Sequence, residues 1–182
     1  MVKKVKYFIV IKNVIFFLSI IFMFILIHEL AHGITALIFG GEFKGLWLTS
    51  YIGFGKKSDD ISASAFYTYT SYNNSFLCYR SVKIAGSLTA VLSASVINYI
   101  SKKKKNITLF LATSNVIYYE LLYCVISPLL KYGDAYQLLQ SLEITNSNTL
   151  LLFSLVLFGV FICISIVLTK TFLKLLTSIY EI

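Results

Sequence analysis

His28 and His32 stand one helical turn apart, with Glu29 between them, in the stretch FILIHELAHGITALIFGG from Phe24 to Gly41. On a helix, residues i and i+4 project from one face, so two imidazole nitrogens can reach a single ion. Glu29 lies one residue further round the same turn and can face a water on that ion without being a ligand. HExxH on a helix is therefore a zinc site with a built-in general base. Zinc acidifies its water and polarises a carbonyl, and the glutamate takes the proton as the water attacks. The chain has 2 histidines, and both are here.

The setting sharpens this reading. The segment is otherwise apolar and long enough to span a membrane. A charge at the centre of a spanning helix costs on the order of 3 kcal/mol on insertion scales. An ionisable cluster at such a place is a functional site by default. The competing structural reading is a pair of hydrogen-bonded histidines in a bundle beside a protonated Glu29. Zinc also needs a third protein ligand, with the fourth position left for water. Glu42 follows Gly40–Gly41 and cannot share the histidines' helical face nearby. Asp59 and Asp60 fit a solvated turn. Glu120 lies within the apolar SNVIYYELLY. Asp134 follows Pro128 and Gly133 and opens the amphipathic DAYQLLQSL. On chemistry alone Asp134 ranks modestly above Glu120, and both stay open.

The elements that must position these groups are membrane helices. Of 182 residues, 58% are hydrophobic and 13% charged, with a mean hydropathy of +0.81. Soluble domains are roughly half apolar, so the chain reads as an integral, multi-pass membrane protein, placed in the cell membrane. Apolar runs predict four spanning helices at about 14–39, 82–100, 107–129 and 150–168. The first is roughly 40 Å long, somewhat more than the hydrocarbon core. The second is filled with Ala85, Gly86, Ser87, Ala90, Ser93, Ala94 and Ser95, small residues that let helices approach closely in lipid. The fourth carries no charge and reads as a lipid-facing scaffold. MVKKVKYFIVIK resembles the start of a signal peptide, but the apolar run behind it is too long and no A-x-A site follows. It is read as part of a retained helix.

Between the first two helices, the region 43–72 alternates apolar and polar positions and is rich in aromatics and Thr. It predicts a small membrane-associated β-hairpin or sheet, with Gly53 and Gly55 at turns or close approaches and Asp59–Asp60 between strands. Backbone at such a depth must be satisfied by protein or water. The net charge of +8 sits largely on Lys beside apolar runs, which fits membrane flanks and excludes nucleic acid as the default partner. Cys78, Cys124 and Cys163 are odd in number and widely spaced, so no disulfide framework is implied.

Four short stretches occur in order: HELAHG, IGFGK at Ile52–Lys56, AGSL at Ala85–Leu88 and GDAYQLL at Gly133–Leu139. Together they resemble the site-2 protease family of intramembrane zinc metalloproteases, as a small member without a PDZ domain. The resemblance covers about residues 14–142. It implies one membrane metalloprotease-like domain over 1–182, one Zn2+, His28, His32 and Asp134 as ligands, and Glu29 as catalytic base. It also implies that the strand region around Tyr51–Gly55 and Ile61–Tyr72 presents an unwound substrate strand. The chain departs from the family's pattern at Ala135, where a Gly is usual, and at Gly133, where a Leu is usual. The Asn- and Pro-rich lead-in is reduced to Pro128, and Ser87 replaces a Pro. The family's following Asn is not in place; Asn98 and Asn115 are polar substitutes that do not align.

Four spans put both termini on one side. Lys3, Lys4, Lys6, Lys12, Lys102–Lys105, Lys170 and Lys174 fall on that side, against Lys44, Lys56, Lys57, Arg80, Lys83 and Lys131 on the other. Charge bias therefore favours cytoplasmic termini, whereas the family resemblance implies the reverse orientation. The leading functional expectation is a zinc metalloendopeptidase acting on membrane-spanning or membrane-tethered peptides. The alternative is a non-catalytic membrane protein of the same fold, acting as a binding, immunity or regulatory module. Metal transport ranks last, because the fourth segment has no polar path.

Overall fold

The long apolar runs form helices because a helix satisfies its backbone polar groups within one segment, which lipid requires. The computed structural model describes residues 2–47, 53–55, 67–71 and 76–180. Its elements are α1 (Val2–Ile38), β1 (Glu42–Trp47), β2 (Gly53–Gly55), β3 (Tyr67–Ser71), α2 (Phe76–Lys103), α3 (Ile107–Leu130), α4 (Asp134–Ser141) and α5 (Ser147–Tyr180). Helices α1, α2, α3 and α5 are long and apolar enough to cross a membrane. They outrun the predicted spans at several ends. Apolarity marks only what suits lipid, while hydrogen bonding carries the helix into its polar flanks. Lys102 and Lys103 in the last turn of α2 also favour a helix C-terminus.

The helices stop in a common way. After α1, Gly40 turns left-handed (φ 77°), its N–H bonds Leu37 O at 3.2 Å, and Gly41 N–H bonds Ala36 O at 2.7 Å. This paired closure satisfies carbonyls the helix would leave open. Lys105 and Lys131 (φ 53°) and Glu143 (φ 63°) close α2, α3 and α4 with the same backbone pairing. Asn106 starts α3 by accepting from Leu109 N–H at 3.0 Å, a side-chain N-cap.

Helix α2 packs between α1 and α3, and α5 lies against α3. Ala85, Gly86, Ala90 and Ala94 are buried along α2, so close approach replaces bulky interdigitation. Phe24, Ala94, Val116 and Ile117 form one core cluster, and Ala36, Cys78 and Val82 form another. These pairings make α1 antiparallel to α2 and parallel to α3. Asn98 binds α2 to α3, with Nδ2 at 3.0 Å from Phe110 O and 2.9 Å from both Thr113 Oγ1 and Ser114 Oγ.

Within the strand-like region, β1 is central in the order β2-β1-β3, antiparallel to both neighbours. Gly53 is a close approach: a Cβ there would lie 2.5 Å from Leu46 O. The sheet packs on α1 through β1 and β3, with the Phe43 ring where a side chain at Gly33 would stand. The expected Asp59–Asp60 turn lies outside the described residues.

Removing the interhelical amide is expected to weaken the bundle without touching the site. Asn98→Ala should destabilise by about 1 kcal/mol, the scale of hydrogen bonds between membrane helices. Unfolding in detergent measures this, and unchanged stability would show the network to be dispensable.

Candidate metal centre

The up-down arrangement brings three helix positions to one depth. His28 on α1, Gly86 on α2 and Glu120 on α3 each lie about ten residues, or roughly 15 Å of helix, from the end nearest the sheet and α4. His28 and His32 project from one face of α1, with ring centroids 4.9 Å apart and nearly perpendicular.

Each imidazole is held through Nδ1. His32 Nδ1 donates to Val82 O at 2.6 Å, and His28 Nδ1 bonds Glu120 Oε1 at 2.9 Å. A carbonyl can only accept, so the His32 proton sits on Nδ1 and Nε2 presents a lone pair. The carboxylate does the same for His28. A carbonyl or carboxylate behind each histidine is the arrangement that orients metal-ligating rings. Both Nε2 atoms face the backbone of α2 at Gly86, where a Cβ would stand 2.5 Å from each. Gly86 is thus the position at which α2 leaves room for the site.

Asp134 completes the cluster from the start of α4. Its Oδ2 lies 3.3 Å from His32 Nε2 and 3.8 Å from His28 Nε2. Gly133 and Tyr123 put it there, and Lys83 bonds its other oxygen. Gly133 is left-handed (φ 88°), and a side chain on it would strike the Tyr123 hydroxyl. That hydroxyl accepts from Asp134 N–H at 3.1 Å. Lys83 on α2 donates to Asp134 Oδ1 at 3.2 Å. The short helix behind it is pinned at both ends. Ser127 Oγ accepts from Tyr136 N–H at 3.1 Å and donates to Tyr132 O. Arg80 donates to Ser141 O at 2.5 Å and Ser141 Oγ at 3.3 Å. Burial works to raise the Asp134 carboxyl. Where protons sit on the facing Nε2 atoms, their hydrogen bonds from His28 and His32 together with the Lys83 charge outweigh it, holding Asp134 well below the usual carboxylate range.

Two nitrogen lone pairs and an ionised carboxylate facing one another repel unless a proton or a cation lies between them. One donor atom from each of His28, His32 and Asp134 falls within 4.8 Å of the others. Two imidazoles and a carboxylate suit zinc, and tetrahedral bonds of about 2.0 Å separate ligand atoms by about 3.3 Å. The His32–Asp134 separation matches that and the His28–Asp134 separation is slightly wider, so the residues fit a zinc ion.

No protein family, curated protein or solved structure matches the chain.

Of the two carboxylates left open by the sequence, Asp134 joins the histidines' Nε2 atoms and Glu120 stands behind His28. Glu120 is buried, and its Oε2 has no partner among the described residues. Glu29 is half-buried beside His28 and within electrostatic range of it and of Tyr119. Asn98 is committed to α3, and Asn115 bonds Leu111 O on an exposed face, so neither reaches the centre. Ser87 leaves α2 unbroken from Phe76 to Lys103. Sequence reasoning missed the Val82 carbonyl, Tyr123 and Lys83. Lys83 was grouped with the membrane-flanking charges, and only its early place in an apolar helix marked it out. In the sequence Gly86 is one small residue among several.

Two substitutions and one control test the geometry. Gly86→Ala places a methyl against both Nε2 atoms and is expected to abolish stoichiometric zinc uptake. Gly159→Ala, with nothing within 4 Å of its Cβ, should leave uptake unchanged. Glu120→Gln keeps the shape but loses the carboxylate and should weaken zinc binding by about 10- to 100-fold. Metal analysis and chelator competition on detergent-purified protein read both results.

Proposed function

We propose that the protein is an integral membrane zinc metalloendopeptidase that hydrolyses peptide bonds in membrane-spanning or membrane-tethered substrates. The observation that carries this reading is the convergence of His28 Nε2, His32 Nε2 and Asp134 Oδ2, with both Nδ1 atoms already bonded, on the helix turn that also carries Glu29. Four helices long and apolar enough to cross a membrane support a multi-pass, membrane-embedded setting for that convergence. The resemblance of HELAHG and GDAYQLL to site-2 proteases supports the same chemistry.

His28, His32 and Asp134 would hold one Zn2+. When bound, the ion acidifies water and polarises the scissile carbonyl. Glu29 accepts the proton of the attacking water and delivers it to the nitrogen of the departing amine. Glu120 and the Val82 carbonyl keep the two rings in the ligating tautomer through the cycle. Tyr123 and Gly133 hold Asp134 at the start of α4, where a helix N-terminus favours its negative charge. A substrate helix hides its carbonyls in its own hydrogen bonds and must unwind before it can react. The outer strands β2 and β3 each have β1 as their described neighbour. An extended peptide can add to such an edge by main-chain pairing.

Glu29→Gln decides between catalysis and a binding or regulatory role for the same site. It should retain zinc while slowing cleavage of a membrane peptide by about 100- to 10,000-fold, the range for a general acid–base group. Undiminished cleavage in the variant would sink the mechanism. Zinc uptake by a wild-type protein that cleaves no membrane peptide would favour the non-catalytic module.

A further inference from the structure

Lys83 is the one cation bonded directly to the candidate metal ligands among the described residues. Its Nζ lies 3.2 Å from Asp134 Oδ1, and its side chain is 16% exposed. The ammonium also sits over the Tyr79 ring, 5.6 Å from the centroid. Lys83 precedes Gly86 by three residues on α2, so both lie on the helix face turned to the site. Asp134 is consequently divided. Oδ1 receives the ammonium and Oδ2 faces the histidines.

A carboxylate shared in this way gives less charge to whatever Oδ2 holds. A fixed positive charge one carboxylate away also repels a cation in the site, and burial keeps that repulsion from being screened as it would be in water. Both effects act in one direction. They loosen the hold on a metal ion and leave the ion more electron-poor, hence a stronger polariser of a carbonyl. A simple structural pin would do otherwise, since losing it would disorder Asp134 and weaken both binding and turnover.

We propose that Lys83 is a positioning residue that acts through Asp134 to trade metal affinity for electrophilic strength at the site. The inference rests on the zinc reading above. It assigns no proton transfer to Lys83 and needs no contact between Lys83 and substrate.

The test uses the full chain in detergent, with zinc as the probe. Lys83→Met keeps the length and packing of the side chain and removes the charge, while Lys83→Arg keeps the charge. Zinc affinity is measured by competition with a chromophoric chelator, and kcat on a membrane peptide is measured at saturating zinc. In Lys83→Met, zinc should bind on the order of ten-fold tighter while kcat falls on the order of ten-fold. Lys83→Arg should move both quantities back toward wild type. Weaker zinc binding in Lys83→Met, or tighter binding with unchanged kcat, overturns the proposal while leaving the zinc site standing. Wild-type protein that binds no zinc overturns this inference and the proposed function together. Should Lys83→Met fail to fold, Lys83→Gln carries the same expectation and the same disproof.

Discussion

Everything at the centre depends on where the two imidazole protons sit. Val82 O and Glu120 Oε1 each engage an Nδ1, and this turns two otherwise ambivalent rings into a matched pair of Nε2 lone pairs. Val82 belongs to α2 and Glu120 to α3, while the rings belong to α1. The site therefore cannot form before three helices have packed at the correct depth. A shift of α2 by one residue would move the carbonyl by about 1.5 Å and rotate it by about 100°, and the lock on His32 would be gone.

The bundle meets that demand by close contact rather than bulk. Alanines and Gly86 along α2 bring its backbone near α1 on one side and α3 on the other. Only a bare backbone position can stand against two imidazole nitrogens, which is why the small-residue stripe and the site coincide at Gly86. Further along the same helix, Asn98 spans to Phe110, Thr113 and Ser114 and fixes α2 against α3 away from the chemistry. The outer helices have less to do: α5 lies against α3 and is otherwise largely apolar surface, fit for lipid.

Charge is arranged with the same economy. Asp134 stands at a helix start, bonded to Lys83, with its backbone N–H on Tyr123. Gly133 has a physical reason: its left-handed backbone and missing side chain let α3 and α4 meet at the Tyr123 hydroxyl. Ser87 keeps α2 continuous.

Much was legible from residues alone. His28, Glu29 and His32 declare a metal-site pattern within a few positions, because helical periodicity alone puts the two rings on one face. The four long helices follow from apolar run length, though their ends do not, since polar flanks continue the backbone hydrogen bonding. Chemistry narrowed the third partner to two carboxylates, with Asp134 modestly ahead of Glu120, and the resemblance to site-2 proteases implied Asp134. Choosing between Asp134 and Glu120 required the packing of α3 and α4 against α1, because each is far from HELAHG in the chain and either could supply an oxygen. Lys83 and the Val82 carbonyl were beyond reach for a stronger reason. A lysine near the end of an apolar helix resembles any flanking charge, and a backbone carbonyl carries no sequence mark. Local spacing determined which residues could ligate. Only tertiary structure decided what stands behind each ligand, because those partners come from other helices and are joined by packing.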